Sequence, residues 1–277
     1  MNPFAAALLL ALPAPSEAAE TAPLAPPADY RLVWSDEFSG RGLPDEKRWD
    51  YDTTFNRRGW HNEEKQYYSA RRARNARVRG GRLIVEARRE PERSKRLPDW
   101  GGQPYTSARL VTRGKASWTY GFFEIRARLP CGRGTWPAIW TLADRRVTGW
   151  PGDGEIDIME HVGHDPGIVH QSVHTAAFNH VKGTHKTARR QVPDACRAFH
   201  SYQLHWTPRR IAMGIDGRTL FTFAKGDGGR DEWPFDAPQY LILNVAVGGT
   251  WGGAKGVDDR ALPGRMEVDY VRVWQAR

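Results

Sequence analysis

The sequence predicts an all-β fold, a sandwich or jelly roll of two antiparallel sheets, on three observations. Residues 123–129, Phe123-Glu-Ile-Arg-Ala-Arg-Leu129, alternate apolar and charged side chains without a break. That is the period of a half-buried antiparallel strand. Ten short runs of strand character follow one another, punctuated by Gly and Pro, and no stretch sustains a helical period. No Gly-rich phosphate loop and no internal repeat stands out.

In chain order the expected strands cover residues 83–87, 107–111, 123–129, 138–142, 156–162, 168–175, 202–206, 220–223, 240–247 and 266–274. Asp216-Gly217, between two apolar runs, is a hairpin signal, because a two-residue turn needs positive φ at both positions. Residues 88–104 hold three Pro and scattered charge and read as a surface excursion. A chain of 277 residues suits one large β domain, and 40% hydrophobic with 26% charged residues supplies a core while excluding wholesale disorder and a membrane bundle.

The formal charge of +9 comes from 41 basic against 32 acidic residues, 33 of the basic ones Arg. Nucleic acid is the partner such a balance first raises. Its strongest local support is residues 71–82, with six Arg and no acid. That run leads into a strand and lacks the interleaved aromatics of single-strand binders, so a solvated face is expected and no nucleic-acid partner. The 12 Trp are expected mostly in the core, with some flat faces left for sugar rings.

Met1-Asn-Pro-Phe-Ala-Ala-Ala-Leu-Leu-Leu-Ala-Leu12 followed by Ser16-Glu-Ala18 reads as a signal peptide over residues 1–18, too short to span a bilayer and without Lys or Arg at its start. Residues 19–28 read as a flexible lead and 29–277 as the catalytic domain. The expected product is secreted or periplasmic, monomeric and free of the membrane once the signal is removed. Cys131 and Cys196 are the only cysteines. In an exported protein they are equally readable as bonded or free.

The chemistry concentrates in Trp150-Pro-Gly-Asp-Gly-Glu155-Ile-Asp157-Ile-Met-Glu160-His161-Val-Gly163. On a regular strand residues 155, 157 and 159 share a face and Glu160 points away. One extra residue at Ile158-Met159, a bulge, turns Glu160 back, so that Glu155, Asp157 and Glu160 line one face. Two carboxyls with opposed protonation states are what glycoside hydrolysis requires, and a separation of roughly 5–5.5 Å would make it retaining. An acidic strand face is otherwise merely solvated, or binds calcium. His170 and His174 share a strand face but stand too far apart for a compact metal chelate.

Gly154-Glu-Ile-Asp-Ile-Met-Glu-His-Val-Gly163, with Gly134-Thr-Trp-Pro-Ala-Ile-Trp140 before it and Val173-His-Thr175 after it, resembles glycoside hydrolase family 16, and within it the laminarinase-like endo-β-1,3-glucanases. Trp34-Ser-Asp-Glu-Phe38, Gln66-Tyr-Tyr68, Tyr105 to Leu110, Trp118-Thr-Tyr-Gly121, Leu243 to Gly249 and Val268 to Val273 match in the same order. The resemblance implies a concanavalin-like jelly roll with an open substrate cleft. It implies Glu155 as nucleophile, Asp157 as its assistant and Glu160 as general acid/base. It further implies Trp136 and Trp140 as sugar-stacking or cleft-shaping residues, and Asn62, Arg109 and His174 as hydrogen-bonding partners of hydroxyls. No cofactor is implied for catalysis, only a structural calcium near Glu37, Gly81 and Asp269. His61 and Gln171 depart from the family pattern, so altered subsites are expected beside them. The expected partner is a polysaccharide: a β-1,3 or mixed β-1,3/1,4 glucan, with a neutral or sulfated galactan (agar, carrageenan or porphyran) as the alternative and a noncatalytic glucan-binding module as a further one.

Overall fold

The computed structural model describes residues 22–277. The expected signal peptide lies outside them. Among the described residues no helix is long and apolar enough to cross a membrane.

The first strands are β1 (Tyr30–Asp36), β2 (Asp50–Tyr51), β3 (Gln66–Tyr68), β4 (Ala76–Val78), β5 (Leu83–Arg89), β6 (Tyr105–Ser107), β7 (Arg109–Val111) and β8 (Gly121–Arg128). There follow β9 (Thr135–Ala143), β10 (Glu155–His161), β11 (Ile168–His174), β12 (Lys186–Gln191) and β13 (His200–Trp206). The last are β14 (Arg210–Ile215), β15 (Arg218–Ala224), β16 (Gln239–Val247) and β17 (Gly264–Ala276). One helix, α1 (Pro91–Ser94), interrupts the excursion after β5.

Two sheets result. The first runs β15-β14-β13-β8-β17-β5-β6-β3, with β1 on β17 and β4 on β5; the second runs β12-β11-β10-β9-β16-β7-β2. Pairings are antiparallel except β3 with β6. The alternation of β8 is realised as read: Phe123, Ile125, Ala127 and Leu129 are buried while Glu124, Arg126 and Arg128 are partly exposed. The inward faces of both sheets meet in one core that includes Trp49, Trp206, Phe123, Phe235 and Leu110.

Two local outcomes differ from the sequence reading, and a third closes a question it left open. The single strand expected over 107–111 is two, because the chain passes at Ala108 from the first sheet to the second. Every residue there is buried on both sides, so no alternation marks the crossing. Residues 22–24 of the expected flexible lead are docked: Leu24 donates its N–H to the Gly217 carbonyl at 2.8 Å, Ala22 accepts from the Thr219 N–H at 2.9 Å, and the Leu24 side chain is buried. The open pair of cysteines is closed, Cys131 bonded to Cys196. In the basic run, five of the six Arg are ion-paired: Arg71 with Glu46, Arg72 and Arg74 with Glu90, Arg77 with Glu86, and Arg82 with Glu267. The acids are shared, Glu86 also with Arg88 and Arg265 and Glu267 also with Arg128, so the run is laced into ion pairs and keeps a net positive charge.

Candidate active site

Strand β10 carries the bulge. Its neighbour β11 pairs Ser172 with Asp157 and His170 with Glu160, so three steps on β10 face two on β11. On the other flank β9 pairs Trp140 with Asp157 and Ile139 with Met159. Ile158 and Met159 are consecutive yet both wholly buried in the core. The parity change they produce puts Glu155, Asp157 and Glu160 together in the wall of one cleft of about 1030 Å³.

Register across the second sheet builds the floor in rows. One row reads Arg189, His170, Glu160, Ala138, Asn244, Arg109, from β12 to β7. The next holds Thr187, Ser172, Asp157 and Trp140, and the third His174, Glu155, Leu142 and Tyr240. Paired residues share a face, so these rows cross the strands as a polymer lying over the sheet would.

Each acid has its own partners. Glu155 Oε2 accepts from Trp150 Nε1 at 2.9 Å, and its Oε1 lies 3.9 Å from His174 Nε2. Asp157 Oδ2 lies 3.3 Å from the same His174 nitrogen. Glu160 Oε1 accepts from Trp136 Nε1 at 3.0 Å. Burial, with the charge of Asp157 beside it, pushes the Glu155 carboxyl up to about 8. Burial and then Glu155 push Glu160 up to about 7. Asp157 is raised well above the usual range by burial and by Glu160. Three crowded carboxyls with little water cannot all be charged at neutral pH, and they titrate as one set.

The other expected residues fall as follows. Trp136, Trp140, Asn62, Arg109 and His174 all line the cleft. Trp140 is covered on one face by the Arg109 guanidinium, 4.6 Å from the ring centre, and its Nε1 donates to Asn244 Oδ1 at 2.7 Å. Arg109 also lies over Trp60 and is ion-paired with Asp52 at 3.1 Å. Asn62 has φ 57 and its carbonyl accepts from the Thr250 N–H at 2.7 Å. His61 is exposed at the cleft, against Phe55. Gln171 corrects its expectation: it is wholly buried between the sheets, so it alters no subsite by contact.

The calcium ligands do not fit as read. Glu37 is gripped by Arg272, Nε to Oε1 at 3.0 Å and Nη2 to Oε2 at 2.9 Å, and Asp269 accepts from Arg126 Nη1 at 2.5 Å. Both carboxylates are already matched by guanidinium charge, which a cation would have to displace.

Trp150, Trp60, Trp251, Glu64, His180 and His185 line the cleft without having been singled out as site residues. For Trp150, nearness to the acids was the available signal. For the rest the signal is topological, since residues 60–64 and 251 reach the cleft only through long-range folding.

The sequence model of the glycosyl hydrolases family 16 matches residues 63–272. The chain belongs to glycosyl hydrolases family 16. Within this family it is 54% identical over 254 residues to the beta-glucanase of Rhodothermus marinus, across 89% of this chain and 85% of that protein. The solved laminarinase from Rhodothermus marinus superimposes with a TM-score of 0.83, covering 89% of this chain and 97% of that one. The family 16 structure of SCLam, a non-specific endo-beta-1,3(4)-glucanase, is 52% identical, with a TM-score of 0.89 over 94% of this chain and 96% of its own. Family 16 membership makes the protein a glycoside hydrolase and explains the jelly roll.

Proposed function

We propose that this family 16 hydrolase is an exported, endo-acting, retaining β-1,3(4)-glucanase. The observation that carries the reading is the bulged strand that delivers Glu155, Asp157 and Glu160 to one open cleft. Beta-glucanase and laminarinase relatives above 50% identity support a β-glucan as substrate.

In the reactive protonation state of the coupled set the charge sits on Glu155, which attacks the anomeric carbon while Glu160, holding the proton, gives it to the departing glycosidic oxygen, so the C–O bond breaks as the ester to Glu155 forms. Glu160, now ionised, takes a proton from a water, whose oxygen displaces Glu155 from the same carbon. Two inversions leave the anomer retained. Trp150 Nε1 holds the Glu155 carboxylate, and Trp136 Nε1 orients Glu160. In this scheme Asp157, almost wholly buried and raised well above the ordinary carboxyl range, shares a proton with Glu155 and so steadies it as charge leaves on ester formation.

NMR of early products from laminarin should show oligosaccharides with the β-anomer first; the α-anomer first would refute retention. Glu155→Gln and Glu160→Gln should each lose at least about 100-fold in kcat while still binding laminarin. Near-normal turnover in either would remove that residue from the scheme. A sulfated polymer remains as a second reading on one observation. Arg113, Arg146 and Arg189 line the cleft, exposed and with no ion pair among the described residues. Comparing rates on laminarin, lichenan, agarose and carrageenan decides between the two.

A further inference from the structure

Ile158 is the residue of β10 with no register partner on either flank. Strand β11 pairs Asp157 and next Glu160, and β9 pairs Asp157 and next Met159. A carbonyl dropped from the ladder inside a dry core needs another donor, or it costs about 1–3 kcal/mol. Gln171 of β11 is that donor. Its Nε2 donates to the Ile158 carbonyl at 2.8 Å and to the Gly214 carbonyl at 3.3 Å.

Gly214 belongs to the opposite sheet, at the register shift of β14 against β15. A Cβ there would fall 2.1 Å from the Arg218 carbonyl oxygen. One buried carboxamide thus directs its N–H groups at two irregular positions, one in each sheet. Both partners are carbonyl oxygens, so only one orientation of the amide serves. Its own Oε1 is left without a hydrogen bond. An apolar side chain would avoid that cost, so the donors are what the position selects for.

We propose that Gln171 is a positioning residue for hydrolysis: by holding the Ile158 carbonyl it fixes the bulge that turns Glu160 into the cleft beside Glu155. The proposal rests on Glu160 as proton donor. Gln171 itself touches no substrate. Its loss acts through the placement of Glu160, and a misplacement of about 1 Å can cost up to about two powers of ten in rate.

The test compares Gln171→Leu, which keeps bulk and removes the donor, with Gln171→Gly, which leaves room for water should the Leu variant fail to fold. For each, kcat and KM on laminarin are measured beside the titration of Glu160, followed by NMR of 13C-carboxyl glutamate and identified by its loss in Glu160→Gln. Q171L should lower kcat about tenfold or more with KM nearly unchanged. The Glu160 midpoint should move from its wild-type value, since both its burial and its distance from Glu155 change. Q171G should move both in the same direction by less. A folded variant with wild-type kcat, or with lowered kcat but an unmoved Glu160 midpoint, overturns the proposal whatever its melting temperature. Should the wild-type enzyme cut no laminarin, the glucanase reading fails, and the titration, which needs no substrate, still decides on Gln171.

Discussion

Glu155, Asp157 and Glu160 are held where their charges are unwelcome, and that has a measurable consequence for stability. An acid whose folded-state pKa is raised binds its proton more tightly folded than unfolded. Its contribution is therefore fully present below about pH 4.5 and is lost as pH rises through the folded value, about 7 for Glu160 and about 8 for Glu155. Glutamine cannot ionise. Glu160→Gln should match the wild type in stability below pH 4.5 and exceed it by about 1–3 kcal/mol at pH 8, measured by urea denaturation across that range. An equal or lower stability at pH 8 would mean the site tolerates its full charge. His161 works on the other side of the scale. Burial lowers it to about 4, so the stability it confers is present above pH 6.5 and is lost as pH falls toward 4. Because both proteins keep His161, that acid-side loss should be common to them.

At the scale of elements, the hairpin joining β14 and β15 turns on Asp216 and Gly217, with φ of 50 and 77. Those are the positive values a two-residue turn requires, and a β-branched residue at Gly217 would be strained. Gly217→Val should cost about 1–2 kcal/mol in a denaturant melt while leaving laminarin turnover unchanged, since the hairpin lies on the sheet without the acids. An unchanged midpoint would show that the turn relaxes to another type. The hairpin was legible in the sequence because its chemistry is local, and so were β8 and the bulge of β10, where parity alone decides which side chain faces which side. The crossing at Ala108 was not, because two fully buried strands in line have no alternation to interrupt. The inward orientation of Gln171 was legible too, since strand parity puts it on the face opposite His170 and His174, but its partners were not, because the Ile158 and Gly214 carbonyls come from a bulge and from the other sheet. The partners of the acids divide in the same way. Trp136 was found by its motif, whereas Glu64 and Trp251 come from loops that only the closed sandwich brings near.

For the whole molecule, the disulfide is the feature that spans the architecture. Cys131 lies between β8 and β9, where the chain leaves the first sheet for the second, and Cys196 lies between β12 and β13, where it returns. The bond ties these two crossings together across a sequence separation of 65 residues. A link of that span removes a large share of the unfolded chain's freedom, and its loss typically costs about 2–5 kcal/mol. The catalytic floor is held by different means: β10 is flanked on both sides by paired strands and packed below by Ile156, Ile158 and Met159. Stability and activity should therefore separate. Cys131→Ala with Cys196→Ala should lower the midpoint of thermal unfolding by several degrees, about 2–4 °C for each kcal/mol lost in a chain of this size. At 25 °C the same double variant should keep kcat on laminarin within about twofold of wild type, since no transition-state contact is removed. A rate lost in step with stability would instead place the disulfide, whose Cys131 Sγ lies 3.7 Å from Nε2 of His161 next to Glu160, among the groups that hold Glu160 in position.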